Sequence, residues 1–460
     1  MKNIPILVLL AIFIFSGCSG PPDKWSFERD ESGWSLYRNG ESFYIKGGVP
    51  HHSKEYYGTL AKIGGNTVRI EARLNLLDEA KKHGLVAFIN LPVMGDRDGF
   101  DWDDENAVAE QNHKILEIVT KLKDHKSVMM WSLGNELSYV PGPADANPKL
   151  WYHINNLSKL IKEIDPNHPV GFCIGNGGCE VVADISKNCS DIDFFGLNTY
   201  RGIVDASKGV ESNWSKPFVI AEWGTDGRWQ VGETVFDADV EATSSEKAKL
   251  FQERYETGIL PFRNCVGSLA FFWGHREEGT PTWFSLFVKG KTTESVGVLQ
   301  KLWTGVWPKN RAPSISRIRL DASVMSNICP FCHERIHEME KEGRASRLAI
   351  SEDTGKVICN RLLPGVVYNA YYSFEDPDND SVTVLAEVRP DARRLEGDYA
   401  GNNQSENSPI PDLVISRDFG MVKFQAPSEV GTYRIFIYLD DGEGNISHAN
   451  MPFHVGDWRD

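Results

Sequence analysis

The chain has 460 residues, enough for two or three packed units, and its 41% hydrophobic and 25% charged side chains exclude a disordered or collagen-like polymer. Its 49 Lys and Arg against 64 Asp and Glu leave a formal charge of −15, which disfavours phosphate backbones, so nucleic acid is not an expected partner. The 13 Trp, 14 Tyr and 23 Phe supply flat apolar faces of the kind that stack on sugars, although most such rings belong in cores.

Residues 1–18 read as a targeting segment. Lys2 precedes an apolar run, Ile4–Phe15, that is too short to span a bilayer. The run ends in Phe15-Ser16-Gly17-Cys18, which resembles a bacterial lipobox. That resemblance implies lipidation of Cys18 and a cell-envelope lipoprotein. Ser19 rather than Asp follows, which by resemblance to Gram-negative lipoproteins implies the outer membrane, on its periplasmic or surface face. An ordinary secretory cleavage site is the alternative. No later segment is long and apolar enough to span a membrane, so the lipid anchor is the expected membrane contact. Seven other cysteines, Cys173, Cys179, Cys189, Cys265, Cys329, Cys332 and Cys359, form an odd set in a compartment that permits disulfides.

Residues 19–42 read as an N-terminal hairpin turning at Asn39-Gly40, placed to plug the bottom of the adjoining domain. From 43 to 307 short β-branched or aromatic runs alternate with helical patterns, the mark of a parallel sheet covered by helices. The predicted strands are Phe43–Val49, Asn66–Ala72, Val86–Met94, Val128–Glu136, Pro169–Asn176, Asp193–Tyr200, Pro217–Gly224 and Val266–His275. Predicted helices are Leu76–His83 with Gly84 as C-cap, Ala107–His125, Trp151–Ile164 before Pro166, Ser244–Ile259 with Ser244 or Ser245 as N-cap, and Thr293–Trp303. Eight such units match a (β/α)8 TIM barrel; an open doubly wound sheet would carry a glycine-rich phosphate turn that Gly47-Gly48 does not make. Residues 308–314 are a short linker. Residues 315–460 alternate as an antiparallel immunoglobulin-like β-sandwich, interrupted at 325–359 by a Cys- and charge-rich insertion. There Cys329, Cys332, His333 and His337, with Cys359, are spaced as part of a zinc site, against which a disulfide or free thiols stand. Asp376-Pro377-Asp378-Asn379-Asp380 offers oxygens to calcium or is simply an acidic turn. No metal and no cofactor is expected.

Active sites of such barrels lie at the C-terminal ends of the strands. Strand four ends in Trp131-Ser132-Leu133-Gly134-Asn135-Glu136 and strand seven in Phe218-Val219-Ile220-Ala221-Glu222-Trp223-Gly224. A glutamate just beyond each buried strand is costly unless used or paired. Two facing carboxylates are what glycoside hydrolysis requires, one protonated to release the leaving oxygen and one ionised to attack.

These two segments resemble those of clan A retaining glycoside hydrolases, the 4/7 barrels, and the barrel over 43–305 is especially similar to that of family 2 enzymes. The resemblance implies that Glu136 is the acid/base and Glu222 the nucleophile. It implies that Asn135 holds the sugar 2-hydroxyl, that Arg69 keeps Glu222 ionised, that Tyr200 sits by the nucleophile and that Trp273 floors the reacting sugar. Trp223, His51, Asn90 and His275, with His52 and Trp229, lie at strand ends or loops on the same face and line subsites or pack. The large N-terminal sandwich domains of family 2 are missing, and a barrel with one C-terminal sandwich more closely resembles glycoside hydrolase family 158, of endo-β-1,3-glucanases. The expected partner is a β-linked glycan, with endo-β-1,3-glucan hydrolysis favoured. The alternatives are an exo-acting β-galactosidase, β-glucuronidase or β-mannosidase type, a transglycosylase, and a non-catalytic surface glycan-binding lipoprotein.

Overall fold

The computed structural model describes residues 23–137, 149–175, 179–321, 330–350, 355, 357–391 and 408–456. Cys18 and the predicted targeting segment lie outside them. The N-terminal stretch forms three antiparallel strands, β1 (Trp25–Asp30), β2 (Gly33–Arg38) and β3 (Glu41–Phe43). Asn39 and Gly40, at φ 52° and 85°, make the tight turn that the Asn-Gly pair predicts. This small sheet caps the barrel floor. The Trp25 amide donates to Asn167 O at 2.8 Å and the Trp34 amide to Arg263 O at 3.1 Å, both just ahead of barrel strands. Trp25 and Leu36 share one apolar cluster with Val86, Phe88, Phe194 and Val266 inside the barrel. The strands finish at the opposite end.

Eight parallel strands close on themselves: β4 (Ile45–His51), β5 (Thr67–Glu71), β6 (Val86–Leu91), β7 (Val128–Asn135), β8 (Val170–Gly175), β9 (Phe194–Asn198), β10 (Phe218–Trp223) and β11 (Cys265–Ala270). All eight overlap the predicted runs. Around them lie α1 (Tyr57–Lys62), α2 (Leu74–Lys82), α3 (Glu105–Leu122), α4 (Lys149–Ile164), α5 (Cys179–Asn188), α6 (Ile203–Asn213), α7 (Ser244–Gly258) and α8 (Glu294–Thr304). Helix α3 shows why: Asp104 accepts from the amides of Asn106 and Ala107, and Val108, Ile115, Val119 and Leu122 fall on one buried stripe. Helices α1, α5 and α6 were not among the predicted helices.

Helix α7 corrects its predicted cap. The N-cap is Thr243, in a reciprocal pair with Glu246. Ser244 and Ser245 instead hold the second domain, accepting from the amides of His448 at 3.0 Å and Ile315 at 2.8 Å.

After a hairpin of β12 (Phe287–Val288) and β13 (Lys291–Thr292), the chain enters the sandwich. Its strands are β14 (Ser314–Ile315), β15 (Arg319–Leu320), β16 (Arg361–Leu362), β17 (Val367–Tyr371), β18 (Phe374–Glu375), β19 (Thr383–Pro390), β20 (Val414–Asp418), β21 (Met421–Gln425), β22 (Gly431–Asp440) and β23 (Ile446–Val455). One sheet runs β15-β17-β21-β20 and the other β16-β23-β22-β19. Their inner faces meet over Leu320, Ala370, Val422, Phe424, Ile435, Ile437 and Phe453.

The insertion forms helix α9 (Pro330–Lys341) and docks against the barrel. Arg344 reaches Glu233 at 2.8 Å, Arg335 reaches Asp237 at 3.2 Å, and the Glu233 amide donates to Arg347 O at 2.7 Å. Cys359 is disulfide-bonded, which removes it as a zinc ligand, and Cys329 lies outside the described residues. His337 faces Glu340 at 3.3 Å, and His333 is exposed. In the acidic turn Asp376 accepts from the amides of Asp378 and Asp380, so this carboxylate builds the turn. No helix among the described residues is long and apolar enough to cross a membrane.

Candidate active site

The strand ends bring a polar network together at the top of the barrel. Arg69 enters from β5 and is 2% exposed. Its Nη1 donates to Glu222 Oε1 at 2.7 Å and to Asn198 Oδ1 at 3.3 Å; its Nη2 donates to Asn135 Oδ1 at 2.6 Å and Asn90 Oδ1 at 3.3 Å. A planar guanidinium suits this task, because its donors point in fixed directions toward several strand ends at once. Tyr200 donates its hydroxyl to Glu222 Oε2 at 3.2 Å. Asn198 Nδ2 donates to both Asn135 Oδ1 and Glu136 Oε1 at 3.0 Å. The two glutamates are therefore joined through Asn198 and Arg69.

The backbone explains how Glu136 arrives. Gly134 and Glu136 adopt φ of 71° and 51°, and the Glu136 amide donates to Cys173 O on β8 at 2.9 Å. A glutamate with positive φ is uncommon and is stored where the surroundings over-determine it. Gly175 leaves room beside the side chain: a Cβ there would lie 3.0 Å from Glu136 Oε1. Glu136 stays half-buried, whereas Glu222 is 6% exposed.

The electrostatics differ from the sequence expectation. Arg69 was expected to hold Glu222 ionised by lowering its pKa. Burial instead pushes Glu222 up to about 7; Arg69 opposes that rise, the charge of Glu136 adds to it, and Tyr200 and Arg276 oppose it. Desolvation of a carboxylate outweighs one ion pair here. Burial likewise drives the Tyr200 hydroxyl well above its usual range, with Glu222 and Glu136 adding to it, so it stays a donor. Burial lowers His51 to about 3, with Arg276 and Arg69 contributing, so this ring is neutral.

Two predicted residues are not in the site. Trp223 follows Glu222 on the same strand and so points the other way. It is 0% exposed and packs on Phe251 and Tyr255 of α7, at 5.1 and 5.8 Å. Trp273, also 0% exposed, donates Nε1 to Tyr56 O at 3.0 Å and packs on Phe287 and Trp303. Both tryptophans belong to the layer between barrel and helices. His275 is exposed, 3.7 Å from Glu277.

The aromatic wall of the site is made by others. Phe271 contacts His51 at 5.9 Å, Tyr200 at 6.1 Å and Phe284 at 5.4 Å. Trp229, 42% exposed, stands edge-on to Tyr200 at 5.8 Å. Arg276 lies 5.6 Å from the rings of Phe271 and Phe272 and binds Glu278 Oε2 at 2.5 Å. Sequence reasoning missed Asn198, Phe271, Phe284 and Arg276. Asn198 was legible as the polar residue two positions before Tyr200 and so on the same face of strand six, and Phe271 by counting inward positions along strand eight.

Residues 71–267 match the family described as glycosyl hydrolases family 2, TIM barrel domain. A β-glucuronidase of Paenibacillus borealis is 22% identical over 318 residues, covering 60% of this chain and 48% of its own. A probable mannan endo-1,4-β-mannosidase C of Aspergillus terreus is 27% identical over 171 residues, covering 31% of this chain and 42% of its own. The chain thus spans about half the length of these curated relatives. The crystal structure of a Bacteroides uniformis β-glucuronidase aligns with 94% of this chain and 48% of its own, at 13% identity and TM-score 0.47. The matched segment runs from the end of β5 into β11 and carries Asn135, Glu136, Asn198, Tyr200 and Glu222, so it is to the family 2 TIM barrel domain of glycosyl hydrolases that this barrel is similar.

Proposed function

We propose that the chain is a retaining β-glycoside hydrolase, with Glu222 as nucleophile and Glu136 as acid/base. The observation that carries this reading is the pair of glutamates at the ends of β7 and β10, joined through Asn198 and Arg69. The environments assign the roles. Glu222 is enclosed, with Arg69 on one oxygen and Tyr200 on the other, an arrangement that holds a carboxylate in one orientation for attack on the anomeric carbon. Glu136 is half-buried and in reach of solvent, where it protonates the leaving oxygen and then draws a proton from water. Asn135 meets the 2-hydroxyl of the sugar, Asn90 supports Arg69, and Phe271 with Trp229 lies along the sugar face.

The substrate is a β-linked glycan outside the cytoplasm, reached from a lipid anchor at Cys18. The favoured linkage is β-1,3-glucan, cut internally, on the family 158 resemblance of the barrel-plus-sandwich architecture. A second reading, an exo-acting β-glucuronidase, is favoured by Arg276, whose charge bears on Glu222, and by the named relatives. Laminarin, β-mannan and aryl β-glucuronides assayed side by side separate these readings.

The mechanism has its own test. Glu222→Ala abolishes turnover. Glu136→Ala retains the first step on an aryl glycoside whose leaving group needs no proton, and added azide then yields the β-glycosyl azide. Azide with Glu222→Ala yields the α product. Exchange of the two outcomes reverses the assignment, and a wild-type product of inverted configuration rejects it.

A further inference from the structure

Loop 275–285, after β11, carries Arg276 and Phe284 to the site mouth, and it rests on a barrel carboxylate that the other domain also reaches. Thr280 and Thr282 donate their hydroxyls to Glu241 Oε2 at 2.6 Å and Oε1 at 2.8 Å. Glu241 also accepts from Lys247 Nζ at 2.5 Å and, on Oε2, from Asn450 Nδ2 at 2.6 Å. Asn450 belongs to β23 of the sandwich, and its Oδ1 accepts from Arg434 Nη1 at 2.7 Å. Arg434 Nη2 continues to Asp239 O, at 2.9 Å, on the loop ahead of α7. Glu241, Thr280, Thr282, Lys247, Arg434 and Asn450 are all buried. One enclosed carboxylate thus receives donors from both domains.

At its other end the loop meets the catalytic face. Phe284 packs on Tyr200 at 5.8 Å and on Phe271 at 5.4 Å, and the Arg276 amide donates to Ser285 Oγ at 2.9 Å. Tyr200 in turn holds Glu222. A buried, fully occupied hydrogen-bond set has few alternative arrangements, so loss of one donor is felt by the groups that share the acceptor.

We propose that Asn450 of the sandwich is a positioning residue of the barrel's active site, acting through Glu241 on Thr280 and Thr282 to set Phe284 and Arg276 against Tyr200 and Glu222. The sandwich is then part of the catalytic architecture, because the carboxylate that fixes this loop is completed only by a donor from β23. The kinetic part of the test rests on the glycosidase reading; hydrogen exchange does not, so the two fail separately.

In the full-length chain, Asn450→Ala should raise deuterium uptake in peptides spanning 276–286 while peptides of β7 keep their protection. It should lower kcat on an aryl β-glycoside by between about tenfold and a hundredfold, the cost of a small misplacement, with KM changed less. Thr280→Val removes a donor from the same oxygen within the barrel and should give the same kcat loss, and the double variant should fall short of the product of the two. Unchanged exchange in 276–286, a kcat equal to that of the parent in a folded variant, or strictly multiplicative effects would each overturn the proposal. Should Asn450→Ala not fold, wild-type kcat and exchange in Thr280→Val would overturn it equally.

Discussion

Glu222 meets Arg69 on one oxygen and the Tyr200 hydroxyl on the other, yet its burial leaves it near neutrality in proton affinity, at about 7. As the proposed nucleophile, Glu222 must be ionised, so kcat/KM should rise about tenfold per pH unit on the acid side as pH climbs toward about 7. The sign comes from the raised value: protons removed as pH climbs through 7 create the attacking form. A pH–rate profile flat down to pH 5 would contradict it. Asn198 offers a second test. Because its amide spans Asn135 and Glu136, Asn198→Ala should lower kcat by between about tenfold and a hundredfold through misplacement of both. Steady-state kinetics on an aryl glycoside measure this. The aromatic rings separate by the same logic. Phe271→Ala should raise KM, whereas Trp273→Ala should leave KM unchanged and cost about 3–5 kcal/mol of stability as a core truncation. A raised KM in a folded Trp273→Ala protein would return that ring to the site.

The elements that matter beyond the barrel strands are the loops after β10 and β11, and each is held through a buried glutamate, Glu233 or Glu241. Burial acts to raise the Glu241 pKa, but Lys247 and the surrounding donors overcome it and leave the carboxyl at about 2. The folded value lies below the unfolded one of about 4.3. Glu241 therefore contributes stability above the unfolded value, and that contribution is lost as pH falls toward 2. Removing the carboxylate strands Lys247 in the interior, so Glu241→Ala should cost about 3–5 kcal/mol, read as a lower urea midpoint at neutral pH. A loss under ~1 kcal/mol would mean that the pair contributes only what an exposed one does. The loop after β10 is gripped separately, by Arg335, Arg344 and Arg347 around Glu233 and Asp237. The Cys-rich insertion, whose spacing resembles part of a zinc site but where a disulfide or free thiols are the favoured reading, supplies this grip in the structure.

At the scale of the whole molecule, the sandwich seats its strands on the N-terminal turn of α7 and on the hairpin after the barrel, where Val288 meets Phe436, Tyr438 and Ile446. A chain ending at residue 310 should therefore lose both stability and activity, checked by melting temperature and kcat; unchanged values would make the sandwich an independent appendage. The proposed anchor is tested apart from the fold. Cys18→Ser should move the protein from the membrane fraction to the soluble one without loss of activity, and a variant that still pellets with membranes would reject the lipobox reading.

The sequence by itself determined the strands, because each is a short apolar run bounded by turn residues, and so it determined the barrel and the positions of Glu136 and Glu222 at two strand ends. Arg69, Asn135 and Tyr200 were legible through the resemblance of their segments to clan A glycoside hydrolases, and Asn90 only as a polar residue near a strand end. Alternation even contained the exclusion of Trp223, one residue from an inward glutamate. Three things were decided only in three dimensions. The proton affinity of Glu222 depends on how much water the folded walls remove, which no local pattern records. Which aromatic faces the site depends on how the chain leaves β11, and that exit turns Phe271 inward and Trp273 toward α8. The union of Asn450 with Glu241 joins residues 209 positions apart, and a contact between two domains leaves no periodicity in either.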